Sequence, residues 1–138
     1  MIINFVLFGL AGWILEVLWT GLHSILKKDS KLICTTSLWM FPIYGLASFL
    51  SPIMKIISPL PIVLRGGIYM LCIFGTELVT GWGIVKIAGS CPWDYSKKKF
   101  NFKGLICLNY APVWFFTGLL FEFLNNLLSK MPFSIVFK

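Results

Sequence analysis

The sequence predicts an all-α fold, a polytopic membrane helix bundle of about four transmembrane helices. Three observations carry that prediction. Apolar runs of eighteen or more residues recur along a chain of only 138 residues. Residues of the A, V, I, L, M, F, W, Y and C types make up 58 % of it and charged ones only 12 %, far too apolar for a soluble domain of this size. The basic residues fall in the loops and flanks between the runs, as topology signals do. The chain has room for a single transmembrane domain, residues 1–138, with helix-on-helix packing inside lipid as its core.

The first span is predicted over about residues 2–26. Gly9, Gly12, Glu16, Thr20 and His23 recur at steps of three or four and share one helical face. The small residues permit close helix approach, so the carboxylate and imidazole face the bundle rather than lipid. The loop Lys27-Lys28-Asp29-Ser30-Lys31 ends this span. The second span, about residues 37–57, has no acidic residue, and Pro42 with Gly45 predicts a kink and a close-packing point. Lys55 and the turn Ser58-Pro59-Leu60-Pro61 close it. The short turn makes spans two and three antiparallel neighbours.

The third span, about residues 62–88, starts with Arg65 at a depth from which it can snorkel. It then carries Gly66, Gly67, Gly75, Glu77, Thr80, Gly81 and Gly83, a glycine density that needs neighbouring helices or water around the backbone. The loop that follows holds Cys91-Pro92-Trp93-Asp94-Tyr95-Ser96 and the cluster Lys97-Lys98-Lys99. Trp93 and Tyr95 beside lysines read as an interfacial belt, with Asp94 capping a turn through Ser96. As the single acid in a basic loop, Asp94 is also a candidate contact for a headgroup or polar substrate. The fourth span, about residues 104–128, has Pro112 in its first half and Glu122, Asn125 and Asn126 on one polar face.

The net charge is +7. With the basic residues confined to loops, anionic lipid headgroups are the expected partner and nucleic acid is not. Lys27, Lys28, Lys31, Lys86, Lys97, Lys98, Lys99 and Lys103 lie on one side. Lys55, Arg65, Lys130 and Lys138 lie on the other. The positive-inside rule then puts the first group in the cytoplasm and both termini outside, in a cytoplasmic membrane of bacterial type. Cys34 and Cys91 fall on the reducing side and are expected to stay free. No cleavable signal peptide is expected, because the first apolar run lacks a basic leader and is long enough to remain a helix.

All three glutamates lie on predicted spans. Ionisable groups at such depth are costly and by default mark functional sites. Glu77 is central on its span and Glu16 a little past the middle of its own. Two carboxylates near the midplane can share a proton or hold a cation. Thr80, Glu122 and His23 complete the candidate binding set. The structural alternative satisfies Glu77 by Thr80, an indole or water, pairs Glu16 with His23, and ties Glu122 to Asn125 and Asn126. A single histidine and dispersed cysteines predict no metal site, and no cofactor is implied. An internal repeat is visible: Glu16-Val17-Leu18-Trp19-Thr20-Gly21 is similar to Glu77-Leu78-Val79-Thr80-Gly81, and Lys31-Leu32-Ile33-Cys34 to Lys103-Gly104-Leu105-Ile106-Cys107. It would make two hairpins of the same orientation, a parallel repeat.

Three stretches carry a resemblance: Thr35-Thr36-Ser37-Leu38-Trp39-Met40-Phe41-Pro42-Ile43-Tyr44-Gly45, Glu77-x-x-Thr80-Gly81 with Cys91-Pro92-Trp93-Asp94-Tyr95-Ser96, and the run from Phe100 to Trp114. They resemble the transmembrane protein 229 family, within the broader CmpB-like family of putative type IV ABC-transporter permeases. The resemblance spans nearly the whole chain. It implies acidic positions at Glu16, Glu77 and Glu122 and an all-helical membrane bundle. Where the bacterial group carries Asn-Arg-Gly, this chain reads Leu32-Ile33-Cys34-Thr35-Thr36, nearer the vertebrate-like subgroup. No GxxxxGK[ST] motif is present, so a permease of this kind would need a separate ATPase on its cytoplasmic loops.

Three functions follow as expectations. The first is a transporter or channel-like permease for a cation or small polar solute, acting as a homodimer because four spans rarely enclose a path alone. The second is a non-catalytic binding or assembly subunit. The third is a lipid-acting membrane enzyme using Glu77, Glu16 and Asp94; no nucleophile–base pair supports it, so enzymatic activity is the less favoured expectation and no catalytic residue is assigned.

Overall fold

The computed structural model describes residues 2–130; Lys138, counted above in the loop charges, lies outside them. The described chain is all-α apart from one short hairpin. Helix α1 covers Ile2–Leu26, α2 Met40–Gly45, a 3₁₀ segment Leu46–Leu50 and α3 Ser51–Ile57. Helix α4 covers Ile62–Ala88, strands β1 and β2 cover Asn101–Phe102 and Ile106–Cys107, a 3₁₀ turn covers Leu108–Tyr110, and α5 covers Ala111–Lys130. Among the described residues, four helical runs are long and apolar enough to cross a membrane: Ile2–Leu26, Met40–Ile57, Ile62–Ala88 and Leu108–Lys130. The described residues fall into two compact units that part between Leu50 and Ser51.

In the first unit, α1 receives the large side chains of α2 on its glycines. A Cβ at Gly9 would lie 2.8 Å from the Phe41 carbonyl oxygen, and one at Gly12 would overlap the Tyr44 ring. Gly45 in turn accommodates the Phe5 ring, 2.7 Å from where its Cβ would be. The Trp13 ring packs on Phe41 at 5.1 Å. Between the helices the chain runs back, extended, along the polar face of α1. Ser24 Oγ donates to the Ile33 carbonyl (3.0 Å) and Trp13 Nε1 to the Ser37 carbonyl (3.0 Å). Thr20 Oγ1 both donates to the Thr35 carbonyl and accepts from the Thr35 amide, each at 3.1 Å. Hydroxyl-rich Thr35-Thr36-Ser37 suits this role, since such side chains compete with helical backbone bonds. Just past the end of α1, Lys28 lies in the left-handed region (φ 57°), and its amide and that of Asp29 reach back to the carbonyls of Ile25 and Ser24.

In the second unit, α4 and α5 run antiparallel and close on glycines from both sides. A Cβ at Gly66 would overlap the Phe115 ring, and one at Gly118 would overlap Tyr69. Tyr69 is fully buried as a result. Arg65 Nη1 donates to the carbonyls of Ser58 (3.0 Å) and Leu60 (3.3 Å), holding the turn before α4.

The fourth span is where the structure departs from expectation. Residues 104–110, expected inside it, form the hairpin and the 3₁₀ turn, and α5 starts at Ala111. Pro112 therefore sits in the first turn, where an amide has no intrahelical acceptor to lose. The hairpin pairs Asn101 with Cys107 and Phe102 with Ile106. Its turn places Lys103 (φ 54°) and Gly104 (φ 70°) in the left-handed region, with Leu105 N–H donating to the Phe102 carbonyl at 3.0 Å. Both central residues at positive φ make it a type I′ turn, the geometry that glycine relieves at one of its positions.

Candidate carboxylate site

Helix α4 has 27 residues. At about 1.5 Å per residue it spans about 40 Å, some 10 Å beyond a typical hydrocarbon core. Its last turns are not flanked by α5. They are flanked by the loop after Gly89, whose positive φ (78°) turns the chain back at the end of α4. Gly81 is the contact point. A Cβ there would lie 3.1 Å from both Leu105 and Trp93, and 3.5 Å from the Cys91 sulfur.

The loop is tied together by its own polar groups. Trp93 Nε1 donates to the Leu105 carbonyl (2.8 Å) and the Tyr95 amide to the Gly104 carbonyl (2.9 Å). Asn101 donates to the Lys98 carbonyl (2.7 Å) and accepts from the Gly104 amide (3.0 Å). Asp94 accepts from the Ser96 amide (2.8 Å) and hydroxyl (3.0 Å). Those two bonds hold the Asp94 carboxyl below its ordinary range. Both Asp94 oxygens are engaged in the turn, as the capping reading expects. Burial pushes the Cys91 thiol up, the wrong direction for a nucleophile.

This folded-back loop delivers Tyr95 to Glu77, about 16 Å along α4 from Ala88. Tyr95 Oη donates to Glu77 Oε1 at 3.1 Å, and Trp114 Nε1 of α5 donates to Glu77 Oε2 at 3.1 Å. Each carboxylate oxygen thus has one neutral donor, one from the loop and one from α5. Glu77 is only 8 % exposed. Among the described residues, no basic side chain forms an ion pair with it within 4.0 Å; the Arg65–Glu122 pair is the one that meets this limit. A buried carboxylate satisfied by neutral donors alone retains capacity for a proton or a cation.

The other candidate residues are placed differently. Thr80 donates to the Thr76 carbonyl of its own helix (2.6 Å), not to Glu77. Glu16, half-buried in the first unit, accepts from Thr36 Oγ1 at 2.7 Å. The alternative Glu16–His23 pair is not formed: His23 Nδ1 lies 3.1 Å from the Trp19 carbonyl, and its ring meets Trp19 edge-on at 4.9 Å. Glu122, buried beside Asn125, pairs with Arg65 Nε at 3.3 Å across α4 and α5 and lies against the Tyr69 side chain. Asn126 is exposed. Glu122 and Glu77 therefore occupy separate levels of the α4–α5 pair, about 18 Å apart by the spacing of Arg65 and Glu77. No group of three His, Cys, Asp or Glu side chains suited to a metal occurs among the described residues.

Sequence reasoning did not assign Trp114, Tyr110, Arg65, Tyr69 or Thr36 to these carboxylates. An indole and a phenol several segments away give no spacing signal on α4. Tyr110 completes the surroundings of Glu77: its ring lies 5.1 Å from Tyr95 and 6.3 Å from Trp114.

A family model described as "Putative ABC-transporter type IV" matches residues 3–136. No solved structure matches the chain.

Proposed function

The chain belongs to the family described as "Putative ABC-transporter type IV", and from that premise we propose that this transporter-like integral membrane protein uses Glu77 to handle a cation, a proton or a cationic solute. One observation supports the reading above others: Glu77 is buried on a membrane-spanning helix and held by two neutral donors, Tyr95 and Trp114. Intramembrane carboxylates of this kind serve relays and cation sites. Glu16, with Thr36 as its donor, is the corresponding group of the first unit. Within the family, the Pro92-to-Ser96 motif supports the transmembrane protein 229 branch. A homodimer completes the path, with the two basic loops in the cytoplasm on anionic lipid and available to a separate ATPase. Both termini then lie outside.

The test is flux. Full-length protein in proteoliposomes should show saturable, pH-dependent cation or proton movement that Glu77→Gln abolishes while remaining monodisperse. Unchanged flux in Glu77→Gln would remove Glu77 from the mechanism. Labelling of the exposed Cys34 by an impermeant maleimide should occur from the cytoplasmic side only; labelling from outside would reverse the topology.

A second reading has its own support. The two Glu77 bonds join three segments, α4, the loop and α5, so the carboxylate is equally placed to fix an assembly subunit. A co-purifying partner, no flux, and failure of Glu77→Gln to assemble would favour it.

A further inference from the structure

The surroundings of Glu77 form a closed cycle. Glu77 Oε1 meets the Tyr95 hydroxyl, the Tyr95 ring meets Tyr110 at 5.1 Å, Tyr110 meets Trp114 at 6.3 Å, and the Trp114 indole returns to Glu77 Oε2. Three aromatic rings and one carboxylate thus adjoin one another at the point where α5 begins. Both aromatic pairs are tilted, at 41° and 40°, rather than stacked flat. One face already receives an ammonium: Lys98 Nζ lies 5.7 Å from the Tyr110 centroid. That distance is within the range of cation–π attraction.

We propose that the Glu77–Tyr95–Tyr110–Trp114 cluster binds an organic ammonium group, and that the Lys98 ammonium occupies the Tyr110 face in its place when no ligand is bound. The proposal rests on the cation reading of Glu77 and names its substrate class. The chemistry selects that class. A divalent metal needs several oxygen ligands, and the cluster supplies one carboxylate. Sodium or potassium holds its water too tightly to gain from ring faces. An alkylated ammonium is weakly hydrated, attracts ring quadrupoles over its whole surface, and is neutralised by the one carboxylate. The same chemistry is presented by a free ammonium compound such as choline and by the headgroup of a choline or ethanolamine lipid. The position of the cluster, beside a loop of interfacial aromatics and lysines, is open to either source.

The experiment uses full-length protein in detergent, titrated calorimetrically with choline chloride against sodium chloride at equal ionic strength. Choline should bind saturably and at least tenfold tighter than sodium. Tyr110→Leu should weaken it by roughly fivefold or more, the size of one cation–π contact, while Tyr110→Phe retains it. Lys98→Gln, an exposed change that leaves the fold intact, should tighten binding by removing the competing ammonium. Equal behaviour of choline and sodium in detergent moves the question to nanodiscs. There, phosphatidylcholine or phosphatidylethanolamine should raise thermal stability over phosphatidylglycerol, and Tyr110→Leu should erase the difference; that result assigns the site to a lipid headgroup. No preference in either setting overturns the proposal, as does a Lys98→Gln variant that binds more weakly. Loss of the ammonium preference with Glu77-dependent flux intact would leave the transport reading standing with another cation. Choline binding without flux would keep the site and remove transport.

Discussion

Replacing Glu77 by Gln is the perturbation whose outcome the structure constrains most. Glu77 Oε2 accepts from an indole N–H, which can only donate, whereas Oε1 accepts from a phenol, which can donate or accept. Glutamine can therefore keep both contacts in one orientation, its oxygen toward Trp114 and its amide toward a reversed Tyr95 hydroxyl. Hydrogen bonds to a charged group contribute about 1.5–3 kcal/mol and neutral ones about 1, so the two bonds together weaken by about 1–4 kcal/mol. Against this, a buried ionisable group without a basic partner costs several kcal/mol to keep out of water. The two effects offset, and Glu77→Gln should be as stable as the parent or up to about 2 kcal/mol more stable. Scanning fluorimetry of the purified protein should then show an unchanged or raised Tm, at about 3–5 °C per kcal/mol for a chain of this length. Trp114→Phe sharpens the test. It should cost more in the parent than in the Glu77→Gln background, because in the parent it strands a carboxylate oxygen rather than an amide carbonyl. A Tm lowered by more than about 5 °C in Glu77→Gln, or equal costs of Trp114→Phe in both backgrounds, would refute the reasoning.

Other outcomes follow from the same geometry. Gly118→Ala places a Cβ into Tyr69 and should destabilise by about 1–3 kcal/mol, whereas Gly75→Ala, with nothing within 4 Å, should be neutral or stabilise by up to about 1 kcal/mol; thermal melts of the two distinguish a packing glycine from an open one. Lys103→Asn, in the type I′ turn with φ 54°, should stabilise the hairpin by about 0.5–1 kcal/mol, read as slower hydrogen exchange at Leu105 and Leu108. Asp94 is held below its ordinary range by Ser96, so its contribution is fully present above the unfolded value and is lost as pH falls through the folded one; Asp94→Asn should lower thermal stability at neutral pH and flatten its acid limb below about pH 4, where the two proteins converge. Glu122→Gln removes one partner of the Arg65 pair and should cost about 3 kcal/mol or more, with Arg65→Met in the same chain recovering part of the loss, as measured by a double-mutant cycle of melts.

The two units use the same local device, which the sequence repeat only hinted at. In the first, the chain after α1 runs back along it and Thr36 donates to Glu16. In the second, the chain after α4 folds back and Tyr95 donates to Glu77. The paired Gly21 and Gly81 each face a cysteine of the returning segment, Cys34 and Cys91. The matching glutamates and glycines were readable as a repeat; the sequence match paired Cys34 with Cys107, whereas the structure puts Cys91 in the corresponding place against Gly81. The hydroxyl donors were not, because threonine and tyrosine share no spacing or residue type.

Hydropathy by itself determined that this chain lives in a bilayer, since no alternative buries runs of that length, and it determined which helices carry carboxylates. The glycine face of α1 was also legible, because small residues at helical spacing have a direct steric meaning. The residues around each carboxylate were decided by tertiary structure. Residues 104–110 are apolar enough to read as helix, yet Gly104, the Asn101 side chain and Pro112 turn them into a hairpin and delay α5 to Ala111. That delay puts Trp114 level with Glu77 and brings Tyr95 back to it, while the antiparallel register puts Glu122 against Arg65. Periodicity fixes which side of a helix a residue occupies; only the packing of separate segments fixes what meets it there.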